Sequence, residues 1–337
     1  MNLLNELKNN PFLLAPMAGV TDCAFRSYMK HLGCGIVTTE LISSHGIRYQ
    51  SEQTLKLMKT TREQFPVGVQ LFGETPEAVA EAAKYVQEQG ANFVDLNFGC
   101  PVKKVVSKGA GSAILRDLNQ VQKMVSTVKA AIEIPLTIKI RTGWDHNTRN
   151  ADEVCNIAYN EGVTWVSIHG RTRAQAYEGL ADWDYIAEVK SKTKVPVIGN
   201  GDILSPQGAN QRLSESGCDG VMIGRGCLKN PLIFLESQKL FLGESVERVN
   251  IHPLQQLLLL KQFLEEEHDD KTVGIQLKKF AAWYSAGYPG SAGFRKTIFM
   301  AKTIDDIVIQ IQSYFDSIGD ANRGVFDEER FMMGGHG

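Results

Sequence analysis

Short and almost continuously apolar runs recur along the first two thirds of the chain. They are rich in β-branched residues, and they lie at positions 12–17, 35–40, 66–71, 92–97, 135–140, 164–169, 195–200 and 219–224. Such runs are typical of strands that are buried on both faces of a parallel sheet. The pattern therefore predicts eight buried strands.

The segments between these runs carry helix signals. Before one of them, Thr75 can cap a helix, Pro76 suits its first position, and Gly90 suits its end. Residues 205–217 repeat the order Ser, Pro and, at the end, Gly. Strand and helix thus alternate eight times, which favours an α/β fold with a parallel sheet closed into a (β/α)8 TIM barrel. An open, doubly wound sheet is the structural alternative.

The alternation stops after residue 242. A linker-like stretch follows at 242–253, and three helical patterns then cover 252–270, 273–287 and 294–315. This predicts a small all-α helical domain behind the barrel. The expected division of the chain is 1–242 for the barrel, 243–321 for the helical domain, and 322–337 for a loose tail.

The composition restricts the class of protein but does not indicate a function. A content of 43% hydrophobic and 22% charged residues in 337 is ordinary for a soluble protein. The apolar runs are too short to span a bilayer, and the N-terminus is a poor signal peptide, so a cytoplasmic protein is expected. No two of the six cysteines form a C-x-x-C pair, so no metal site is indicated.

The predicted strands end in polar or glycine-rich residues. In α/β barrels the active site lies at the carboxyl ends of the strands, so these residues are expected to meet there. They are Pro16, Met17, Ala18, Glu40, Gln70, Asn97, Cys100, Lys139, Arg141, His169, Asn200, Gly201, Asp202, Gly224 and Arg225.

Two glycine turns among them suit an anion. Residues 200–202 and 224–226 follow strands seven and eight, where barrels commonly bind phosphate, and Arg225 adds a fork of donors. Two ordinary tight turns are the other interpretation. Lys139 points into the predicted barrel mouth, either as a Schiff-base lysine or as a cation beside a cofactor that becomes negative. His169 could orient a cofactor ring or a substrate, or could be an ordinary loop histidine.

Cys100 precedes Pro101 in the loop after strand four. A thiol of ordinary pKa is mostly protonated at neutral pH and can serve as a general acid. It could instead be a nucleophile if nearby cations lowered its pKa, and Lys103 and Lys104 are close in sequence. The residues by themselves leave both roles open.

Positive charge is concentrated in three loops of the predicted active face, at 98–116, 141–150 and 169–181. They carry Lys103, Lys104, Lys108, Arg116, Arg141, Arg149, Arg171 and Arg173, against Asp145 and Glu178. Since the whole chain has a net charge of −2, this bias favours a polyanionic substrate over a solvated rim.

Six segments carry a resemblance to a known family. The segments 16–22, 95–115, 139–144, 168–173, 200–203 and 222–226, with the sequences PMAGVTD, DLNFGCPVKKVVSKGAGSAIL, KIRTGW, IHGRTR, NGDI and MIGRG, resemble the tRNA-dihydrouridine synthases, and most of all their bacterial B-type branch.

The resemblance implies an FMN cofactor that NADPH reduces. It places Pro16, Met17, Ala18, Gln70, Lys139, His169, Asn200, Gly201, Asp202, Gly224 and Arg225 at flavin-binding positions. It also implies that a uridine of the tRNA D-loop is flipped into the pocket. Hydride then passes to carbon 6 of the uracil and Cys100 protonates carbon 5, with Asn97, Lys139, Arg141 and His169 near the base.

The helical domain is expected to hold the tRNA. Its cations are grouped, with Lys278 and Lys279 on one helix and Arg295, Lys296 and Lys302 near the start of the next. Together with Lys103, Lys104, Arg171 and Arg173 of the barrel loops, Lys279, Arg295 and Lys296 are the predicted tRNA contacts. A solvated basic face is the alternative.

Two other functions compete with this prediction. One is a flavin barrel enzyme that acts on a small molecule, which would not need basic loops or a helical appendage. The other is an RNA-binding protein without catalysis, which would not need Cys100 or the flavin residues. We expect a monomer.

Overall fold

The apolar runs form the predicted strands. In the computed structural model, which describes residues 2–245, 252–319 and 321, the sheet consists of eight parallel strands. They are β1 (Phe12–Leu14), β2 (Val37–Ser43), β3 (Val67–Phe72), β4 (Phe93–Phe98), β5 (Leu136–Arg141), β6 (Trp165–His169), β7 (Val197–Asn200) and β8 (Gly220–Ile223). All eight predicted strands are confirmed.

The sheet closes on itself. Its strand order is β1-β8-β7-β6-β5-β4-β3-β2, and a bridge between Leu13 and Ile36 joins the two ends. There the Leu14 N–H donates to the Ile36 carbonyl at 3.0 Å. The barrel prediction is therefore confirmed and the open sheet excluded.

Helices surround the barrel and continue beyond it. They are α1 (Leu3–Asn9), α2 (Cys23–His31), α3 (Ser44–Arg48), α4 (Glu52–Met58), α5 (Pro76–Glu88), α6 (Lys103–Val106), α7 (Leu118–Ala131), α8 (Ala151–Asn160), α9 (Trp183–Lys192), α10 (Pro206–Ser216), α11 (Ile233–Phe241), α12 (Pro253–Glu267), α13 (Asp270–Tyr284), α14 (Ser291–Ile298) and α15 (Ile304–Ile318). Short 3₁₀ helices cover Arg62–Gln64, Gly111–Arg116 and Arg225–Leu228.

The two helix starts with proline follow the sequence signals. α5 begins at Pro76 and α10 at Pro206. Ser205 caps α10 by accepting a hydrogen bond from the Gly208 N–H at 3.0 Å. Gly217 caps the C-terminal end of α10, and its φ of 63° lies in the left-handed region that favours glycine.

The barrel interior is apolar at one end and polar at the other. The apolar end is formed by Leu13, Ile36, Phe93, Trp165 and Ile198, while Ala15 and Met222 of the same cluster reach the cavity at the other end. Leu3 and Leu7 of α1 pack into the same cluster and close this end. The polar residues that line the cavity thus lie towards the carboxyl ends of the strands, where α/β barrels carry their active sites.

The C-terminal helices pack beside the barrel, on α2. The rings of Phe25 and Phe280 stack with centroids 5.0 Å apart, and the Tyr28 hydroxyl donates to Gln256 Oε1 at 2.9 Å. The helical C-terminal region is therefore as predicted. Within the described residues, no helix is both long and apolar enough to span a membrane.

One predicted helix is in fact two. The segment 294–315 breaks between α14 and α15, because Thr303 caps α15 in a reciprocal arrangement with Asp306. Residues 246–251 of the predicted linker lie outside the described residues. The whole predicted tail, 322–337, lies outside them as well.

Candidate active site

A cavity of about 510 Å³ opens at the carboxyl ends of the strands. Every residue predicted to bind the cofactor lines it, namely Pro16, Met17, Ala18, Gln70, Lys139, His169, Asn200, Gly201, Asp202, Gly224 and Arg225. Cys100, Asn97 and Arg141 line it as well. The fold therefore brings residues from all parts of the barrel sequence to one place.

The two glycine turns lie side by side at one end of the cavity. Gly201 has a φ of 136°, and a Cβ there would come within 2.4 Å of the Ala181 Cβ, so no side chain fits. Arg225 Nη2 lies 3.8 Å from Asp202 Oδ1. A cation and open backbone next to each other suit an anionic group such as a phosphate.

Arg171 holds this end together instead of facing a substrate. Its guanidinium makes a bidentate pair with Asp202, with both N–O distances at 2.9 Å, and it also donates to the Glu178 and Gly179 carbonyls. The side chain is only 3% exposed. The predicted contact between Arg171 and tRNA is therefore not supported, because the bidentate pair already occupies the guanidinium.

Burial changes the charges of the central residues. Lys139 Nζ donates to Asn200 Oδ1 at 2.9 Å. Burial and the nearby Arg141 lower the pKa of Lys139 to about 8, against the attraction of Asp95. Burial and four surrounding cations hold the pKa of His169 well below its usual value. The imidazole is thus neutral and can donate and accept hydrogen bonds.

Cys100 lies on the wall formed by the end of β4. It is the one cysteine of the six that is not buried. Partial burial nevertheless raises the pKa of its thiol, with Arg141 as an opposing cation. Lys103 and Lys104 follow on α6 and are exposed to solvent. Since the pKa is raised, the thiol is protonated at neutral pH, which favours the general acid over the nucleophile.

Arg141 is fixed next to this wall. It is 2% exposed. Its Nε donates to the Gly99 carbonyl at 2.8 Å and its Nη1 to the Thr172 carbonyl at 2.9 Å. Burial lowers its pKa to about 10, so the guanidinium stays charged at neutral pH. It can therefore present positive charge to the cavity without being mobile.

Tyr177 is a cavity residue that the sequence reasoning missed. Its ring lies between two guanidinium groups, 5.5 Å from Arg141 and 5.4 Å from Arg225. Such cation–π contacts stabilise the ring at the cavity mouth. An aromatic residue inside a basic loop after β6 was the signal that could have revealed it.

The basic loops are less free than their sequence suggests. Arg149 pairs with Asp182 at 2.7 Å. Arg116 and Arg173 both stack on Trp144, at 4.9 and 4.5 Å from the ring centroid. These arginines therefore stabilise the loops, although stacked guanidinium groups keep their charge.

Exposed cations remain at the rim beside Cys100. Lys103, Lys104 and Lys108 are all exposed to solvent. The predicted positive surface is thus concentrated on the loop that follows the cysteine.

The cations of the helical region divide into two kinds. Lys279 Nζ donates to the Gly19 carbonyl of the barrel and lies 5.1 Å from the Trp283 ring, so it ties the helices to the loop after β1. Arg295 is half-buried and Lys296 exposed on α14. Arg295 and Lys296 thus reach solvent in part or in full, whereas Lys279 is already engaged with the barrel.

Nowhere in the described part of the chain do three or more histidine, cysteine or acidic side chains come together as a metal site would require.

Sequence comparison identifies relatives over nearly the whole chain. The family model described as dihydrouridine synthase matches residues 13–318. A probable tRNA-dihydrouridine synthase of Rickettsia prowazekii is 40% identical over 323 residues, which is 94% of this chain and 98% of the relative. tRNA-dihydrouridine synthase B of Xanthomonas axonopodis pv. citri is 39% identical and covers 91% of this chain and 93% of its own length.

Solved structures share the fold at low sequence identity. A 2-naphthoyl-CoA reductase complex has a TM-score of 0.52 at 14% identity and covers 70% of this chain and 50% of its own. Histamine dehydrogenase from Rhizobium sp. 4-9 has a TM-score of 0.52 at 12% identity, covering 92% and 63%. At such identities the likeness concerns the barrel architecture.

Proposed function

The chain belongs to the dihydrouridine synthase family, and from this premise we propose that it reduces uridine to 5,6-dihydrouridine in the D-loop of tRNA. The proposal includes FMN as the bound cofactor and NADPH as the reductant. The proposal rests mainly on one observation: residues suited to the base and residues suited to the cofactor line the same cavity. A thiol and a cation for the base lie beside an anion-binding pair of glycine turns.

The residues of the cavity fit FMN. Its volume of about 510 Å³ lies within the range of roughly 300–1,000 Å³ that is usual for ligand pockets. Gly201, Gly224 and Arg225 would hold the phosphate, and Gln70, Lys139 and Asn200 would bind the ring system. Lys139 suits a ring that gains negative charge on reduction, because an uncompensated buried ammonium is costly.

FMN, when bound, would supply the hydride for carbon 6 of the uracil. Cys100 gives its thiol proton to carbon 5, and the raised pKa of the thiol keeps that proton in place until it is needed. Asn97 and Arg141 orient the base from the same wall. His169, neutral in this setting, can donate to a carbonyl of the base without adding a charge.

Access to uridine requires that the nucleotide leave its stack. Extrusion costs a few kcal/mol, and less for an unpaired loop base. Lys103, Lys104 and Lys108 can bind phosphates beside the entrance. Residues 243–321 would supply the second wall, with Arg295, Lys296 and the exposed ring of Phe299 on and after α14. Recognition of a folded RNA needs such a wider surface.

Nucleoside analysis tests the proposal. tRNA from a strain without this gene is compared after complementation with the wild type and with Cys100→Ala. We expect dihydrouridine with the wild type and a loss of about 10²–10⁴ in rate with Cys100→Ala, which is the usual effect of removing a general acid.

Purified Cys100→Ala protein provides the matched control. It should be yellow, retain FMN and oxidise NADPH like the wild type, because the thiol takes no part in flavin reduction. Normal dihydrouridine formation by this variant would refute the role of Cys100. A colourless wild-type protein that does not take up FMN would refute the flavin. Monomeric state and cytoplasmic location stay predictions.

A further inference from the structure

A chain of hydrogen bonds begins in the middle of the barrel and leads to the cavity wall. The buried carboxylate of Asp95 accepts from Thr137 Oγ1 at 2.6 Å and from Gln70 Nε2 at 2.7 Å. Gln70 Oε1 in turn accepts from Asn97 Nδ2 at 2.8 Å. Asp95, Gln70 and Asn97 are 4%, 1% and 8% exposed, so water does not compete for these bonds.

The chain ends on the loop that carries the thiol. Asn97 Oδ1 accepts from the backbone N–H of Cys100 at 2.9 Å and from that of Gly99 at 3.2 Å. The Gly99 carbonyl accepts from Arg141. The position of the cysteine backbone therefore depends on which way the Asn97 amide faces.

A carboxylate decides that direction. The oxygen and the NH₂ group of an amide are nearly equal in size, so packing alone does not tell them apart, whereas both oxygens of Asp95 accept here, from Thr137 and from Gln70. Burial raises the pKa of Asp95, and these two hydrogen bonds and the nearby Lys139 oppose that rise and favour the carboxylate. Gln70 must therefore turn its NH₂ group to Asp95 and its oxygen to Asn97. Asn97 must then turn its oxygen to the loop. If the amides were reversed, an NH₂ group would face two N–H groups, and the loop would lose both bonds.

We propose that Asp95 is a positioning residue, which fixes the orientation of Gln70 and Asn97 and thereby holds the Cys100 loop against the cavity. This rests on the proposed function, because it gives Asp95 a task in presenting the thiol to the substrate. It also accounts for a carboxylate in the barrel interior. A buried charge is costly unless its bonds are satisfied, and the neighbouring interior positions Phe93 and Trp165 are apolar.

Three variants separate direction from packing. Asp95→Leu removes the acceptor, so nothing orients Gln70. Thr137→Val removes one bond to Asp95 and leaves the direction unchanged. In the double variant Asp95→Asn/Gln70→Glu the carboxylate moves one link along the chain. It then accepts from the new amide and from Asn97 Nδ2, so Asn97 keeps its orientation.

Alkylation of Cys100 by iodoacetamide is the main measurement, followed by mass spectrometry of its peptide at several pH values. The other five cysteines are buried. In Asp95→Leu a released loop exposes the thiol, and if its pKa falls by about one unit, alkylation at neutral pH becomes about tenfold faster. Thr137→Val should stay close to the wild type, and the double variant should return to it.

Turnover gives a second measurement. Asp95→Leu should lower kcat for tRNA by about 10²-fold, since misplacement of a reacting group by 1 Å has effects of this size. NADPH oxidation is measured in parallel, because Gln70 would also bind the flavin ring. Wild-type alkylation in Asp95→Leu, or an alkylation rate in the double variant that differs from the wild type, would overturn the proposal. The latter comparison decides even if Asp95→Leu does not fold. Because alkylation needs neither tRNA nor NADPH, its result is independent of whether the protein makes dihydrouridine.

Discussion

At the scale of single residues, burial at the cavity sets the charge of each functional group. It keeps the proton on Cys100, keeps His169 neutral, and lowers the pKa of Lys139 to about 8. Arg141 remains charged at neutral pH because burial lowers its pKa only to about 10. The cavity thus combines a proton donor with fixed positive charge, which is what reduction of a base beside an electron-rich cofactor needs.

The pKa of Lys139 leads to a prediction about FMN affinity and pH. The anionic phosphate of FMN favours the charged lysine, so FMN should bind with constant affinity from pH 7 to about 8. Above that pH the free protein must first take up a proton, and the affinity should fall by up to about tenfold per pH unit. Quenching of flavin fluorescence between pH 7 and 9.5 measures this. Lys139→Met should bind more weakly and without the fall; equal slopes for both proteins would contradict the prediction.

Arg225 leads to a second prediction at this scale. Arg225→Ala should weaken FMN binding by roughly 1.5–3 kcal/mol for each charge-assisted bond to the phosphate that is lost. Equilibrium dialysis with FMN and with riboflavin, which has no phosphate, measures the difference. Riboflavin should bind both proteins equally. Arg212→Ala on α10, outside the cavity, is the matched control and should bind FMN like the wild type.

At the scale of elements, the sequence was sufficient where periodicity is local. Continuous apolar runs predicted all eight strands, and the polar strand ends led to the cavity residues. It was insufficient where a long-range partner decides the role. Arg171 meets Asp202, and Lys279 meets Gly19 from 260 positions away, so both looked free. The break before α15 had a local signal in the Thr303 cap, but the apolar pattern on both sides concealed it.

Helix α14 gives the prediction at this scale. Arg295→Ala/Lys296→Ala should weaken tRNA binding, because each phosphate contact releases counterions. The slope of log affinity against log salt should become smaller by about 1.4–1.8 for two lost contacts. Filter binding at four salt concentrations measures it. Lys84→Ala/Lys123→Ala on the outer barrel helices α5 and α7 is the control with the same loss of charge. An unchanged slope in the α14 variant would refute a role of Arg295 and Lys296 in tRNA binding.

At the scale of the whole molecule, the helical region and the cavity share one loop. Residues 16–18 after β1 line the cavity, and the following residues are held from outside. Lys279 donates to the Gly19 carbonyl, and His268 Nε2 lies 2.9 Å from Asp22 Oδ2. The helices are therefore more than a cover, since they fasten the wall against which the proposed cofactor would lie.

The contact between the C-terminal helices and the loop after β1 should depend on pH through His268. The bond to Asp22 raises the pKa of His268, and Glu267 and Asp269 add to the effect. Lys59 Nζ lies 2.7 Å from Glu267 Oε2, and this cation weakens the effect of Glu267 on the pKa of His268. A histidine with a raised pKa in the folded state contributes stability below its unfolded pKa and loses it as the pH rises through the folded value.

Urea unfolding at pH 5.5 and pH 8.5 measures this contribution. The free energy of unfolding of the wild type should be lower at pH 8.5 by about 0.5–1 kcal/mol from this pair, which solvent partly screens. His268→Gln should remove that part of the pH dependence, and His146→Gln in an exposed loop should retain it. Identical pH dependence in wild type and His268→Gln would show that the pair does not fasten the helices to the barrel.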